Sequence, residues 1–249
     1  MTVPTERTRR RPRITRILVL LAAGLLPFLS LPKARAGQDS SSEFLQAWLN
    51  QQARIKTWSA DVVQIRKLKS LVRPLKARGR VWFSHPNRFR WQLGDPPRTI
   101  AVRKDDELLI IYPRLKQVER YATGKDIDPA WKQVLALLDV GFPSNAEAFF
   151  EQYELLSTRQ TRKKWRFELR PAAEAARRLL DRVWVEASKQ DFSLLTTELV
   201  FPDGSTMRNV FIHRQLNPDL DQALFDFEIS EGYQVVNPLE RRDRKPSGD

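Results

Sequence analysis

The chain has 249 residues, of which 41% are hydrophobic and 29% charged, a composition typical of a globular protein with its own core. It has no cysteine, which excludes disulfides, thiolate metal sites, a cysteine nucleophile and a lipidated N-terminal cysteine. The formal net charge of +13 favours a polyanionic partner, either a nucleic acid or an anionic membrane surface.

The first 36 residues have the order of a secretory signal peptide. A cationic run at 7–16 precedes an apolar run at 17–31, and Ala34 and Ala36 then follow the small-x-small pattern of a cleavage site. We therefore predict a cleaved signal over 1–36, with an uncleaved anchor as the alternative. Removing its eight basic residues and one acidic residue leaves 35 basic and 29 acidic residues, a net charge of +6. More than half of the positive charge thus belongs to targeting, which weakens the case for nucleic acid.

The remainder predicts one continuous domain over 37–240, followed by a charged tail over 241–249. Apolar residues at helical spacing, with serines as possible N-caps, predict a first helix from about 40 to 56. A second helix over 128–140 begins with Asp128 and Pro129 and ends at Gly141. Two shorter helices are predicted over 145–154 and 171–180.

Most other segments alternate apolar and polar residues with a period of two, up to Phe225, Phe227 and Ile229, and predict about eleven short strands. The turn signals KDDE at 104–107 and FPDGST at 201–206 indicate an antiparallel meander. A single sheet of that size curls rather than staying flat. We therefore predict a mainly β (α+β) fold, an incomplete antiparallel β-barrel of about eleven strands with a helical lid over an apolar cavity.

The apolar strand positions are predicted to line this cavity as a lipid-binding site, although a filled core is the simpler alternative. They are Phe83, Phe89, Trp91, Leu93, Ile100, Val102, Leu108, Ile110, Trp165, Phe167, Leu199 and Phe211. The lid is predicted to present the apolar faces of the first two helices, with Leu45, Trp48, Leu49, Trp131, Leu135 and Leu138.

The densest basic region contains GRVWFSHPNRFRW at 79–91. Arg88 and Arg90 alternate with Phe89 and Trp91, so on a strand the cations and the aromatic rings face opposite sides. A platform for nucleic acid needs both on one surface. The pattern instead predicts two strands bent at Pro86 and Asn87, with an apolar inner face and a basic outer face. It disfavours nucleic acid as the partner and leaves an acidic protein partner open.

Nothing local indicates catalysis. The chain has two histidines, His85 and His213, and no HExxH, GxSxG, GxGxxG or P-loop motif. The acidic pairs at 105–106 and 126–128 fall in a predicted turn and at a helix start. We predict a protein without enzymatic activity, cofactor or metal. An exported hydrolase stays open only as an alternative without a motif.

Over 44–238 the chain resembles the LolA-type periplasmic carriers of outer-membrane lipoproteins. The resemblance rests on an ordered set of segments: GRVWFSHPNRFRWQLGDPPRTIAV (79–102), DDELLIIYPRLKQVERY (105–121), LVFPDGST (199–206) and FDFEISEGYQVV (225–236). It implies a soluble, monomeric half-barrel that takes acylated lipoproteins from an inner-membrane ABC-type release complex and delivers them to an outer-membrane acceptor. It also implies that Phe89 and Trp91 lie on the lipid-facing or partner-facing strand.

The chain differs from this family at the lid. The family usually has an arginine just before the Pro-Asn corner, which holds the lid shut, and here that position is His85. A neutral histidine has one donor where arginine has five. The predicted helix over 171–180 also resembles an insertion. Two functions from the same fold stay open: a carrier of acyl chains, and a non-catalytic envelope sensor or structural module with a filled barrel.

Overall fold

The computed structural model describes residues 36–123 and 146–238, with side chains from residue 43 onward. Helix α1 spans Ala36–Gln52, α2 Ala146–Gln152 and the single turn α3 Glu174–Arg177. The twelve strands are β1 Thr57–Lys67, β2 Leu75–Ser84, β3 Arg88–Leu93, β4 Thr99–Lys104, β5 Glu107–Tyr112, β6 Gln117–Ala122, β7 Tyr153–Gln160, β8 Lys164–Pro171, β9 Arg182–Ser188, β10 Leu194–Val200, β11 Thr206–Leu216 and β12 Gln234–Val236. Short 3₁₀ turns occur at Pro113–Leu115 and Gln222–Phe225.

All twelve strands form one sheet in the order β12-β6-β5-β4-β3-β2-β1-β11-β10-β9-β8-β7. Every pair is antiparallel except β12 with β6, which is parallel. Strands β7 and β12 lie at its two edges, so the sheet is open. The predicted mainly β fold with an unclosed antiparallel sheet is confirmed, with eleven antiparallel strands and one short parallel strand.

The β8 strand shows how the alternating pattern builds the core. Trp165, Phe167 and Leu169 are buried on its inner face. The charged residues between them lie on the outer face, where Arg166 packs over the ring of Trp184 at 4.1 Å. Successive strand side chains point to opposite faces, so one pattern supplies both surfaces.

Acidic and basic side chains are paired on the outer face of β8–β11. Glu186 lies 2.8 Å from Lys164 and 3.7 Å from Arg208. Glu198 lies 3.4 Å from Arg166. Burial acts to raise the pKa of Glu186, but the hydrogen bond and positive charge of Lys164 outweigh it and hold that pKa below its ordinary value. This outer face is therefore a wet surface with balanced charge.

The chain end covers the outer face on the other side of the sheet. Phe225, Phe227 and Ile229 do not form the predicted strand; Phe225 ends the 3₁₀ turn at 222–225, and Phe227 and Ile229 belong to the coil segment that follows. Phe227, Ile229 and Tyr233 pack against an apolar cluster on β4–β6. Since β4, β5 and β6 all carry apolar residues on their outer face, this second apolar layer needs the cover.

The helix predictions have mixed outcomes. The first helix is present but ends at Gln52, and the third is α2. The helix predicted over 171–180 is wrong in extent, because only Glu174–Arg177 is helical. The signal peptide, apart from its last residue, the helix over 128–140 and the tail over 241–249 lie outside the described residues. None of the described helices is long and apolar enough to cross a membrane.

Candidate ligand-binding face

The inner face of β2–β5 brings six of the predicted cavity residues together. In the strand register Phe83 pairs with Phe89, which in turn is opposite Arg103 and then Leu108. Trp91 pairs with Val81 and Ala101, and Ala101 with Ile110. Leu93 pairs with Gly79, and a Cβ on Gly79 would lie 1.8 Å from the Gln92 carbonyl oxygen, so the close approach of β2 and β3 requires glycine there.

Ile100 and Val102 are not part of this surface, which corrects the prediction. Ile100 pairs with Gln92 and Ile111, and Val102 with Arg90 and Leu109. Both side chains therefore lie on the outer face, beneath the C-terminal segment. The alternation in β4 was assigned to the wrong face because the apolar side of β4 packs outward against the C-terminal segment, and not inward like that of β3.

The remaining predicted cavity residues lie in the half of the inner face that α1 covers. Trp165, Phe167, Leu199 and Phe211 all belong to the main core cluster, with Leu199 only partly buried. The α1 residues predicted for the lid, Leu45, Trp48 and Leu49, are completely buried there.

Aromatic contacts fill the space beneath α1. Phe44 stacks on Trp165 with ring centroids 5.0 Å apart, and on Phe192 at 5.2 Å. Trp48 lies 6.1 Å from Phe167. This half of the inner face is therefore packed as a protein core.

The other half is less completely buried. Phe89, Trp91, Leu93 and Ile110 are all partly exposed. Trp91 contacts Phe211 edge-on at 6.0 Å, so the two halves form one continuous aromatic surface. The Trp91 indole N–H is buried and has no hydrogen-bond acceptor among the described residues. A ligand carbonyl can accept a hydrogen bond from a buried donor of this kind, since leaving it unpaired costs about 1–3 kcal/mol.

Polar groups border this less buried half. The Tyr121 hydroxyl donates to Glu119 at 2.9 Å. Burial, together with the hydrogen bond and negative charge of Glu119, raises the pKa of Tyr121, so the phenol stays protonated. Arg103 is 8% exposed on the inner face. Sequence reasoning missed Arg103, because its place opposite Phe89 follows from the strand register and not from the local pattern.

The predicted lid is described only in part. His85 is exposed at the corner after β2, where its backbone N–H donates to the Lys56 carbonyl at 2.8 Å. Its role as a substitute for the latch stays a prediction. The other predicted lid residues, Trp131, Leu135 and Leu138, lie outside the described residues.

The second histidine contacts a carboxylate on the outer face. His213 Nδ1 lies 2.8 Å from Asp61 Oδ2 on the outer face, and Arg80 lies 3.9 Å from the same carboxylate. Within the described ranges no serine hydroxyl is hydrogen-bonded to His213, so these residues do not form a Ser-His-Asp arrangement.

Comparison with known proteins identifies the family. Residues 53–228 match the family model described as outer membrane lipoprotein carrier protein LolA. The chain is 28% identical over 210 residues to the outer-membrane lipoprotein carrier protein of Chromohalobacter salexigens, which covers 84% of this chain and 92% of that protein. It is 27% identical over 198 residues to the protein of the same name from Legionella pneumophila strain Corby, covering 80% and 90%. An uncharacterized conserved protein from Thermus thermophilus is similar in structure, with a TM-score of 0.47 and 13% identity over 80% of this chain and 99% of that one.

Proposed function

The chain belongs to the LolA family of outer membrane lipoprotein carrier proteins, and from this premise we propose that it shields lipoprotein acyl chains during transfer from the inner to the outer membrane. The transfer takes place in the periplasm, which the protein reaches by its signal peptide over 1–36. The partners are an inner-membrane ABC-type release complex and an outer-membrane lipoprotein acceptor. The protein acts as a monomer and without a cofactor.

The observation that carries this proposal is the partly exposed apolar surface of Phe89, Trp91 and Leu93 on the inner face of β3. Burying one CH₂ group contributes about 0.8 kcal/mol, so shielding a long acyl chain is worth on the order of 10 kcal/mol. An extended apolar surface with few polar groups suits such a ligand. In this proposal the Trp91 indole N–H donates to a carbonyl group where an acyl chain joins the lipoprotein, since that N–H has no acceptor among the described residues.

The region beneath α1 is assigned a structural role. Trp48 and Leu49 fill that space completely, so a ligand has no room there without moving α1. We therefore propose that acyl chains bind on the β2–β5 side.

Phe89→Glu tests the proposal, because a carboxylate on the inner face of β3 disfavours an acyl chain. The variant, purified from its host envelope, is expected to lose the lipoproteins and lipids that mass spectrometry finds bound to the wild type. Gln92→Glu is the matched control, since it adds the same charge to the outer face of the same strand. Equal lipid content in Phe89→Glu and wild type would contradict the proposal. Unfolding of Phe89→Glu at a much lower urea concentration than the wild type would instead identify Phe89 as part of the core.

A second candidate is a non-catalytic envelope sensor or structural module with the same half-barrel. The filled space beneath α1 favours it, because a packed face binds nothing. The absence of any bound lipid or lipoprotein from the wild-type protein would support this candidate.

A further inference from the structure

The loop between β1 and β2 exposes apolar side chains at its tip. Leu71 is 45% exposed, Val72 102% and Leu75 49%. Single exposed apolar residues are ordinary on protein surfaces, but a cluster of three within five positions indicates a surface that contacts something apolar.

Positive charge predominates around this tip, where Asp203 in the adjacent β10–β11 turn lies close enough to Lys69 for that cation to help lower the pKa of Asp203. Residues 62–94 contain nine lysines and arginines and no aspartate or glutamate. Within the described part of the chain, the side chains of Arg73, Lys76 and Arg78 have no hydrogen-bond or ion-pair partner. The outer face of β8–β11 is different, since its cations are paired with Glu186 and Glu198. The charge at the tip is therefore available to an external anion.

Two neighbouring turns also carry lysine and arginine and an exposed apolar residue. Because β1–β6 are antiparallel in sequence order, the turns over 94–98 and 113–116 lie at the same end of the sheet as the tip. Those turns add Arg98, Arg114 and Lys116, together with Leu115, which is 70% exposed. We call these three turns, over 68–75, 94–98 and 113–116, the hairpin end.

We propose that the hairpin end docks on an anionic lipid bilayer. Leu71 and Val72 enter the boundary between headgroups and acyl chains, while Lys69, Arg73 and Lys76 contact the anionic headgroups. Projecting apolar residues flanked by lysine and arginine in the same loop suit the interface of a bilayer, which is apolar below and negatively charged above. An acidic protein surface would complement the cations but would leave the fully exposed Val72 without an apolar partner. This surface is separate from the inner face and docks whether or not that face binds acyl chains.

Vesicle flotation of the full exported protein tests the docking. The wild type is expected to float with vesicles of phosphatidylethanolamine and phosphatidylglycerol, and not with vesicles of phosphatidylcholine alone. Lys69→Gln/Arg73→Gln is expected to bind the anionic vesicles about thirtyfold more weakly, because each of the two lost cations contributes about fivefold to the affinity for such a surface. Leu71→Ser/Val72→Ser is expected to weaken binding about tenfold or more.

Two matched variants make the result specific. Arg162→Gln/Lys163→Gln removes the same charge from an exposed turn between β7 and β8, at the opposite end of the strands, and is expected to bind like the wild type. Leu156→Ser removes an exposed apolar residue from β7 with the same expectation. The proposal would be overturned if the tip variants bound the anionic vesicles as tightly as the wild type does. It would also be overturned if the wild type did not bind anionic vesicles. Capture of an acidic protein through the tip without vesicle binding would also overturn it, in favour of a protein partner.

Discussion

Strands β8–β10 and strands β2–β5 both present aromatic residues to the inner face, but they are covered in different ways. In the first region α1 seals the face, with Trp48 and Leu49 completely buried. In the second, Phe89, Trp91 and Leu93 stay partly exposed. On the outer face the cover is reversed. There β8–β11 carry ion pairs, while the C-terminal segment covers β4–β6.

This difference shows how one sheet can combine stability with a binding surface. The region around β8–β10 has a packed core on one face and solvent on the other, as in an ordinary two-layer domain. The region around β3–β5 is held from behind by the C-terminal segment, and among the described residues its inner face is less completely covered. A ligand surface needs support that does not occupy it.

Trp48→Ala compared with Trp91→Ala would test this division most strongly. Trp48→Ala is expected to lower the free energy of unfolding by about 3–5 kcal/mol, because it leaves a cavity beneath α1. Trp91→Ala is expected to lower the free energy of unfolding clearly less than Trp48→Ala does, since Trp91 is only partly buried. Urea unfolding followed by tryptophan fluorescence and circular dichroism measures both. Equal losses of stability would mean that the two regions are one core.

Arg90→Ala would show whether the C-terminal segment supports β3 from behind. The Arg90 guanidinium donates to the Leu224 carbonyl at 3.0 Å, and burial lowers the pKa of Arg90. Loss of this hydrogen bond is expected to lower the free energy of unfolding by about 1–3 kcal/mol. Amide hydrogen exchange over 222–236 is expected to become faster.

The control is Arg80→Ala on the neighbouring strand, where the cation lies 3.9 Å from Asp61 and is exposed. It is expected to leave exchange over 222–236 unchanged. If Arg90→Ala does not accelerate exchange there either, Arg90 does not hold the segment.

Glu186→Gln would give the smallest change and depends on pH. The lowered pKa of Glu186 means that its charge stabilises the fold above the ordinary pKa of 4.5, and that this contribution is lost as pH falls through the lower folded value. The variant is expected to be less stable than wild type by about 1 kcal/mol at neutral pH. The difference should disappear in acid.

Urea midpoints measured from neutral to acidic pH would follow this effect. Glu174→Gln is the control, because its partner Arg178 at 3.1 Å and Glu174 itself are both highly exposed. A Glu186→Gln difference that persists in acid would show that packing, and not charge, explains it.

The sequence by itself determined the features that depend on local period. Alternation in β3 separated Phe89 and Trp91 from Arg88 and Arg90, and the register confirms that separation. Alternation together with the turn signals identified the open antiparallel sheet. Helical spacing identified the apolar side of α1. These predictions succeeded because a strand with one wet face and one dry face shows its orientation in its own residues.

Only the tertiary structure decided what covers each face. Ile100 and Val102 were assigned to the wrong face because the apolar side of β4 faces outward, and the alternation within β4 does not show which face of the sheet it belongs to. Arg88 and Arg90 face outward as predicted but contact the C-terminal segment, with Arg88 donating to Gln222 at 3.0 Å. The physical reason is that burial depends on segments far away in the chain, here more than a hundred residues from β3, and such contacts leave no periodic trace in the strand they cover.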